Sequence, residues 1–178
     1  RWQTIDGLIL ANALREKSKN KKCFILTFFD WPQSMKKGQT HLQQVNSLLN
    51  LVEDDDLVLY IGSMVESTSA KSTYSQVKRL TTDLVVANGK NVMRLGMLET
   101  NEGNGLVQTV RNIHKRLGFF PILFPLARLT LNSEDDIFRG LSDFLNGTQS
   151  AGEAFNCPGT ETSFEDWCKK IGPELNFL

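Results

Sequence analysis

Two continuous apolar runs, "CFILTFF" at 23–29 and "LVLYI" at 57–61, constrain this chain more than any other feature. A strand with one face in water alternates apolar and polar residues. A run that is apolar at every position suits a strand buried on both faces, as in a parallel sheet covered by helices. Helical spacing of apolar residues follows each run. Leu42, Val45, Leu48, Leu49 and Val52 share one face of a helix predicted over 39–52. Val77, Leu80, Leu84 and Val85 do the same for a helix over 72–88, closed by Asn88-Gly89. "WPQSMKKGQ" reads as a loop punctuated by Pro32 and Gly38, and the acidic "EDDD" at 53–56 as a solvated turn.

The rest of the chain continues the alternation. An amphipathic helix is predicted over 4–18, a third strand at "NVMRLG" (91–96), and a helix at "LVQTVRNIHKRL" after the loop "TNEGNG". "FFPILFPLARLTL" holds short extended pieces broken by Pro121 and Pro125. "SEDDIFRGLSDFLNG" is a helix with Ser133 as its cap, an acidic first turn and Gly147 as its stop. Asp135 and Asp136 serve that helix N-terminus rather than chemistry. "EAFNCPG" is a late strand and "TSFEDWCKKIG" a final helix, while Phe119, Phe120, Phe124 and Trp167 are core. Strands alternating with helices predict a mostly parallel α/β sheet with right-handed crossovers.

Composition excludes several classes of function. Lysine plus arginine equals aspartate plus glutamate, 20 against 20, so no net field draws nucleic acid or an anionic membrane. The apolar runs are too short or too proline-broken to span a bilayer. Three cysteines with no paired spacing (Cys23, Cys157, Cys168) and two isolated histidines predict reduced thiols, no metal site and a cytoplasmic protein.

In parallel sheets, ligands bind beyond the carboxyl ends of the strands. Ser63 follows the second strand, and Arg94 and the loop after Gly96 sit at the end of the third, so all fall on the ligand side. Tyr74 and Lys78, in "STYSQVKRL", open the helix after Ser63 and lie four apart on one helix face. Read alone, that pair is one turn of a solvated helix; its position makes it a candidate acid–base site. Arg94 is either aimed into the crevice or an ion-pair partner. "NEGNG", with Asn101 and Asn104, is either a flexible loop or a holder of substrate phosphate through backbone N–H groups.

These elements together resemble the extended short-chain dehydrogenase/reductase superfamily, in its NAD-dependent epimerase/dehydratase branch. The residues that carry the resemblance are Ser63 ending "LYIGS", the "YSQVK" of Tyr74 and Lys78, "VMRLG" after the next strand, "LTLNSEDDIFRGL" with Asp136, and "GEAFNCPGTETSFEDW". It runs from about residue 22 to the end and implies one α/β domain over 1–178. About 22–95 would form the remainder of a Rossmann-like core and about 96–178 the substrate-side and C-terminal elements.

The resemblance assigns the catalytic set Ser63, Tyr74 and Lys78. Tyr74 is the acid–base, Ser63 the group that positions the substrate oxygen, and Lys78 the contact to the cofactor ribose that draws the phenol toward neutrality. Tyr74 and Lys78 are thereby the cofactor-binding residues for NAD or NADP, and Arg94, Asn101 and Asn104 the substrate-binding ones. The substrate is a nucleotide-sugar or similar hydroxyl or keto compound. Tyr74 follows Ser63 by only 11 positions, which leaves Ser67 and Thr68 as alternatives to Ser63.

The family's glycine-rich phosphate turn is missing: no G-x-x-G-x-x-G or G-x-G-x-x-G occurs in the sequence. A chain shortened at its N-terminus relative to the family is therefore expected, needing an N-terminal segment and binding NAD(P) weakly or not at all by itself. The alternative is a non-catalytic binding or assembly module derived from the fold. The resemblance also implies a homodimer in which helices 39–52 and 72–88 pack on a second copy.

Overall fold

The computed structural model describes residues 22–27, 34–66, 71–99, 106–119 and 128–171. The helix predicted over 4–18, the end of the first apolar run, Asn101, Asn104 and most of "FFPILFPLA" lie outside the described residues. The chain divides into two compact units.

The first unit takes the chain up to Leu95 together with Gly147–Asn156. Its strands β1 (Cys23–Leu26), β2 (Leu57–Ser63), β3 (Asn91–Leu95) and β6 (Ala154–Asn156) form one sheet in the order β1-β2-β3-β6. All three pairings are parallel, as the apolar runs require. Two helices, α1 (Met35–Leu49) and α2 (Thr73–Ala87), connect β1 to β2 and β2 to β3. Leu26, Val45, Leu49, Val58, Tyr60, Val85 and Val92 make the core between helices and sheet.

Four local expectations change. Helix α1 starts at Met35, capped by Ser34, so half of the supposed loop is helical. Gly38, read as punctuation, lies buried inside that helix, where a β-carbon would collide with the Val77 side chain. It is there because α1 and α2 cross closely, which no local pattern records. Asp56, read as part of a solvated turn, is buried and accepts the backbone N–H groups of Lys22 (2.9 Å) and Glu53 (3.3 Å). Leu80, placed on the inward face of α2, is instead 43% exposed. The inward face carries Val77, Lys78, Thr81, Thr82 and Val85.

The second unit takes Gly96–Asn146 and the chain from Cys157. A small sheet joins β4 (Met97–Leu98), β5 (Arg128–Asn132) and β7 (Thr160–Ser163), parallel between β4 and β5 and antiparallel between β5 and β7. Its helices are α3 (Leu106–Leu117), α4 (Glu134–Leu145) and α5 (Phe164–Ile171). Val110, Leu131, Trp167 and Cys168 form its core. Strand β7 takes residues read as turn and helix start, so the final helix begins only at Phe164. Asp136 completes a capping box with Ser133, the structural role expected of it.

Candidate acid–base site at the end of β2

The site belongs to the first unit. In the register of the sheet, Gly62 stands opposite Arg94 and Ser63 opposite Leu95, so Ser63 and Arg94 reach the same carboxyl end of the parallel strands. Helix α2 begins just beyond, with Ser72 as N-cap accepting the Ser75 N–H at 3.2 Å. That cap fixes where the helix starts, and so puts Tyr74 in its first turn and Lys78 one turn further on.

Tyr74 is half-buried, and the Ser63 side chain is near enough to act on its phenol. The two other hydroxyl candidates, Ser67 and Thr68, lie outside the described residues. Burial pushes the Tyr74 phenol above its ordinary value of 10, and the Glu66 carboxylate adds to this, while the Ser63 side chain opposes it. The direction is opposite to the neutral-going shift implied by the resemblance. Burial outweighs the influence of Ser63.

Lys78 is 6% exposed. Its ammonium donates to the Tyr60 hydroxyl at 3.1 Å and to the Ile61 carbonyl at 3.2 Å, and lies 4.9 Å from the centre of the Tyr60 ring. Burial pushes this ammonium down to about 8, against the Glu66 carboxylate, which raises it. Tyr60 is fully buried in the central strand; burial first and then Glu66 push its phenol far up, and a hydrogen bond from Thr81 opposes them.

Arg94 is an ion-pair partner: its Nε lies 3.0 Å from Glu66 Oε2. The Glu66 side chain is buried, and also accepts the Ser63 N–H (2.8 Å) and the Thr82 hydroxyl (2.7 Å). Sequence reasoning missed Glu66 and Tyr60. Glu66 sits in a stretch of small polar residues that reads as loop, and Tyr60 inside an apolar run that reads as core. Ser63, Tyr74, Lys78 and Arg94 are thus assembled around Tyr60 and Glu66, while Asn101 and Asn104 lie outside the described residues. No group of three metal-binding side chains occurs among the described residues, and no helix among them is long and apolar enough to cross a membrane.

The chain has the fold of the extended short-chain dehydrogenase/reductase enzymes. A dTDP-4-dehydrorhamnose reductase from Clostridium acetobutylicum superposes with a TM-score of 0.71 at 16% identity, over 97% of this chain and 69% of that one. A dTDP-glucose 4,6-dehydratase from Streptomyces venezuelae, solved with NAD bound, gives 0.65 at 16% identity, over 97% and 64%. A UDP-N-acetylglucosamine 4-epimerase from Bacillus cereus gives 0.70 at 10% identity, over 97% and 68%. The chain thus spans about two thirds of the length of these enzymes, and at such identities the likeness is one of fold. No protein-family profile matches the sequence, and no curated protein matches it either.

Proposed function

We propose that this chain carries the proton-transfer site of an NAD(P)-dependent oxidoreductase of the epimerase, dehydratase and reductase kind. Its substrate is a nucleotide-sugar or a similar hydroxyl or keto compound. The observation that carries this reading is the placement of the Tyr74 phenol near the Ser63 side chain at the carboxyl end of a parallel sheet. A phenol held there can give a proton to a substrate oxygen or take one from it, and the serine hydroxyl can bond the same oxygen.

A nicotinamide cofactor supplies the hydride in such chemistry. Of the two residues assigned to it, Tyr74 fits, being half-buried at the strand ends. Lys78 fits less well: its ammonium is engaged by Tyr60 and Ile61, so reaching a cofactor ribose requires it to leave them. That engagement also favours the second reading, a binding or assembly module in which the Tyr74–Lys78 turn is structural.

The two readings separate on one assay. The chain, at millimolar NADPH or NADH, is given 4-keto nucleotide-sugars and the loss of reduced cofactor is followed. Turnover abolished by Tyr74→Phe supports the oxidoreductase. Its absence with every substrate, at unchanged fold, supports the module.

A further inference from the structure

Glu66 is a carboxylate where carboxylates are rare: its side chain is 1% exposed. Three elements converge on it. Oε1 accepts the Ser63 N–H at the end of β2, while Oε2 accepts the Thr82 hydroxyl from α2 and the Arg94 Nε from β3. The backbone leaves room for it: a β-carbon on Gly62 would stand 2.7 Å from Oε1 and 2.9 Å from Val92. A buried charge needs such partners, because removing it from water costs several kcal/mol (on the order of 5) unless hydrogen bonds and an opposite charge compensate.

On the reading of Tyr74 as the site's acid–base, we propose that Glu66 is the positioning residue of this site. It ties Ser63 and α2, the helix that carries Tyr74, to one buried carboxylate, and brings that negative charge to the site. With a keto substrate and a reduced nicotinamide nucleotide bound, the nucleotide would supply hydride to the carbonyl carbon, and the oxygen, taking the C=O π pair, would accept the Tyr74 proton, leaving a phenolate that water reprotonates.

Three other ionisable groups surround the site. Lys78, one turn along α2, donates to Tyr60 and Ile61. Arg94, on β3, is paired with Glu66 and offsets part of its charge, and Tyr60, on β2, is held neutral by burial. The Glu66 charge still pushes the Tyr74 phenol up, in the same direction as burial.

The test needs neither cofactor nor substrate. The chain has two tyrosines, so ring-13C labelling gives two phenol signals, assigned with Tyr74→Phe. In Glu66→Gln the Tyr74 titration is expected to fall by about one pH unit or more, as the negative charge goes and Arg94 stays. In Arg94→Met it is expected to rise, as the carboxylate loses its counter-ion. Thr82→Val, which removes a hydrogen bond and no charge, should lower stability and leave the titration in place. If Glu66→Gln does not fold, Arg94→Met decides. A Tyr74 titration unmoved by either charge change overturns the proposal, even where stability falls. Glu66→Gln in the turnover assay then moves the alkaline limb the same way. A titration that responds in a chain without turnover would instead count against the oxidoreductase reading alone.

Discussion

The Lys78 ammonium lies 3.1 Å from the Tyr60 hydroxyl, 18 residues before it, so a lysine of helix-surface spacing is held inside the fold against the central strand. Its folded value of about 8 lies below its ordinary 10.5. Above about pH 8 the folded chain sheds this proton while the unfolded chain keeps it, so stability rises between about pH 8 and 10.5. The rise is on the order of 3 kcal/mol. At higher pH it reverses, because Tyr60 and Tyr74 keep their protons when folded and lose them when unfolded. Denaturant unfolding across this range should show the maximum, and Lys78→Met should flatten the rising limb. A wild-type profile flat through that range would contradict the burial of a charged lysine.

Ser63→Ala removes a side chain that holds the Tyr74 phenol down, against burial and Glu66, which push it up. The phenol should titrate higher than in the wild type, and turnover should fall roughly 100-fold, the lower end of the range for loss of a positioned proton-transfer partner. Stability should change by about 1 kcal/mol at most. A ring-13C titration and the rate measured on the same variant check both. A phenol that titrates lower would contradict this role of Ser63.

Leu42, Gln43, Asn46, Leu80 and Leu84 line an apolar groove on the outer side of α1 and α2, and Leu80 is largely in the open. A second copy meeting the same face would cover it, as in symmetric dimers. The chain should run as a dimer by light scattering at micromolar concentration, and Leu80→Glu should make it a monomer with an unchanged far-ultraviolet spectrum. A monomeric wild type would contradict the pairing.

The sheet was legible because its strands are buried on both faces and so are apolar throughout; Val58, Leu59 and Tyr60 show this most clearly. The positions of Ser63 at a strand end and of Tyr74 and Lys78 at a helix start were legible from the same pattern. What pattern could not reveal was which polar residues pair inside. Thr81, Thr82 and Lys78 look like a solvent face, yet all three are buried, bonded to Val77, Glu66 and Tyr60. Leu80 looks like core and is not. Apolar periodicity locates an apolar face, but α2 has one face satisfied by hydrogen bonds within the fold and another, around Leu80 and Leu84, left apolar at the surface.

Cofactor affinity follows from the missing glycine-rich turn. Charge-assisted bonds from such a turn contribute about 1.5 to 3 kcal/mol each, so the loss of several lowers affinity by orders of magnitude. Calorimetric titration of the chain with NAD+ and with NADPH should give dissociation constants of about 1 mM or weaker. Micromolar binding would contradict this and direct attention to the "NEGNG" segment as the phosphate holder.

Transfer of label tests Tyr74 as the proton donor. The chain is incubated with NADPH carrying deuterium at the transferring position, at millimolar concentration, and with a 4-keto nucleotide-sugar. Product is then read by mass and NMR. Deuterium should appear on the former carbonyl carbon, at a rate reduced at least about 100-fold in Tyr74→Phe. No label from the wild-type chain, or equal labelling from both proteins, would contradict Tyr74 as the proton donor.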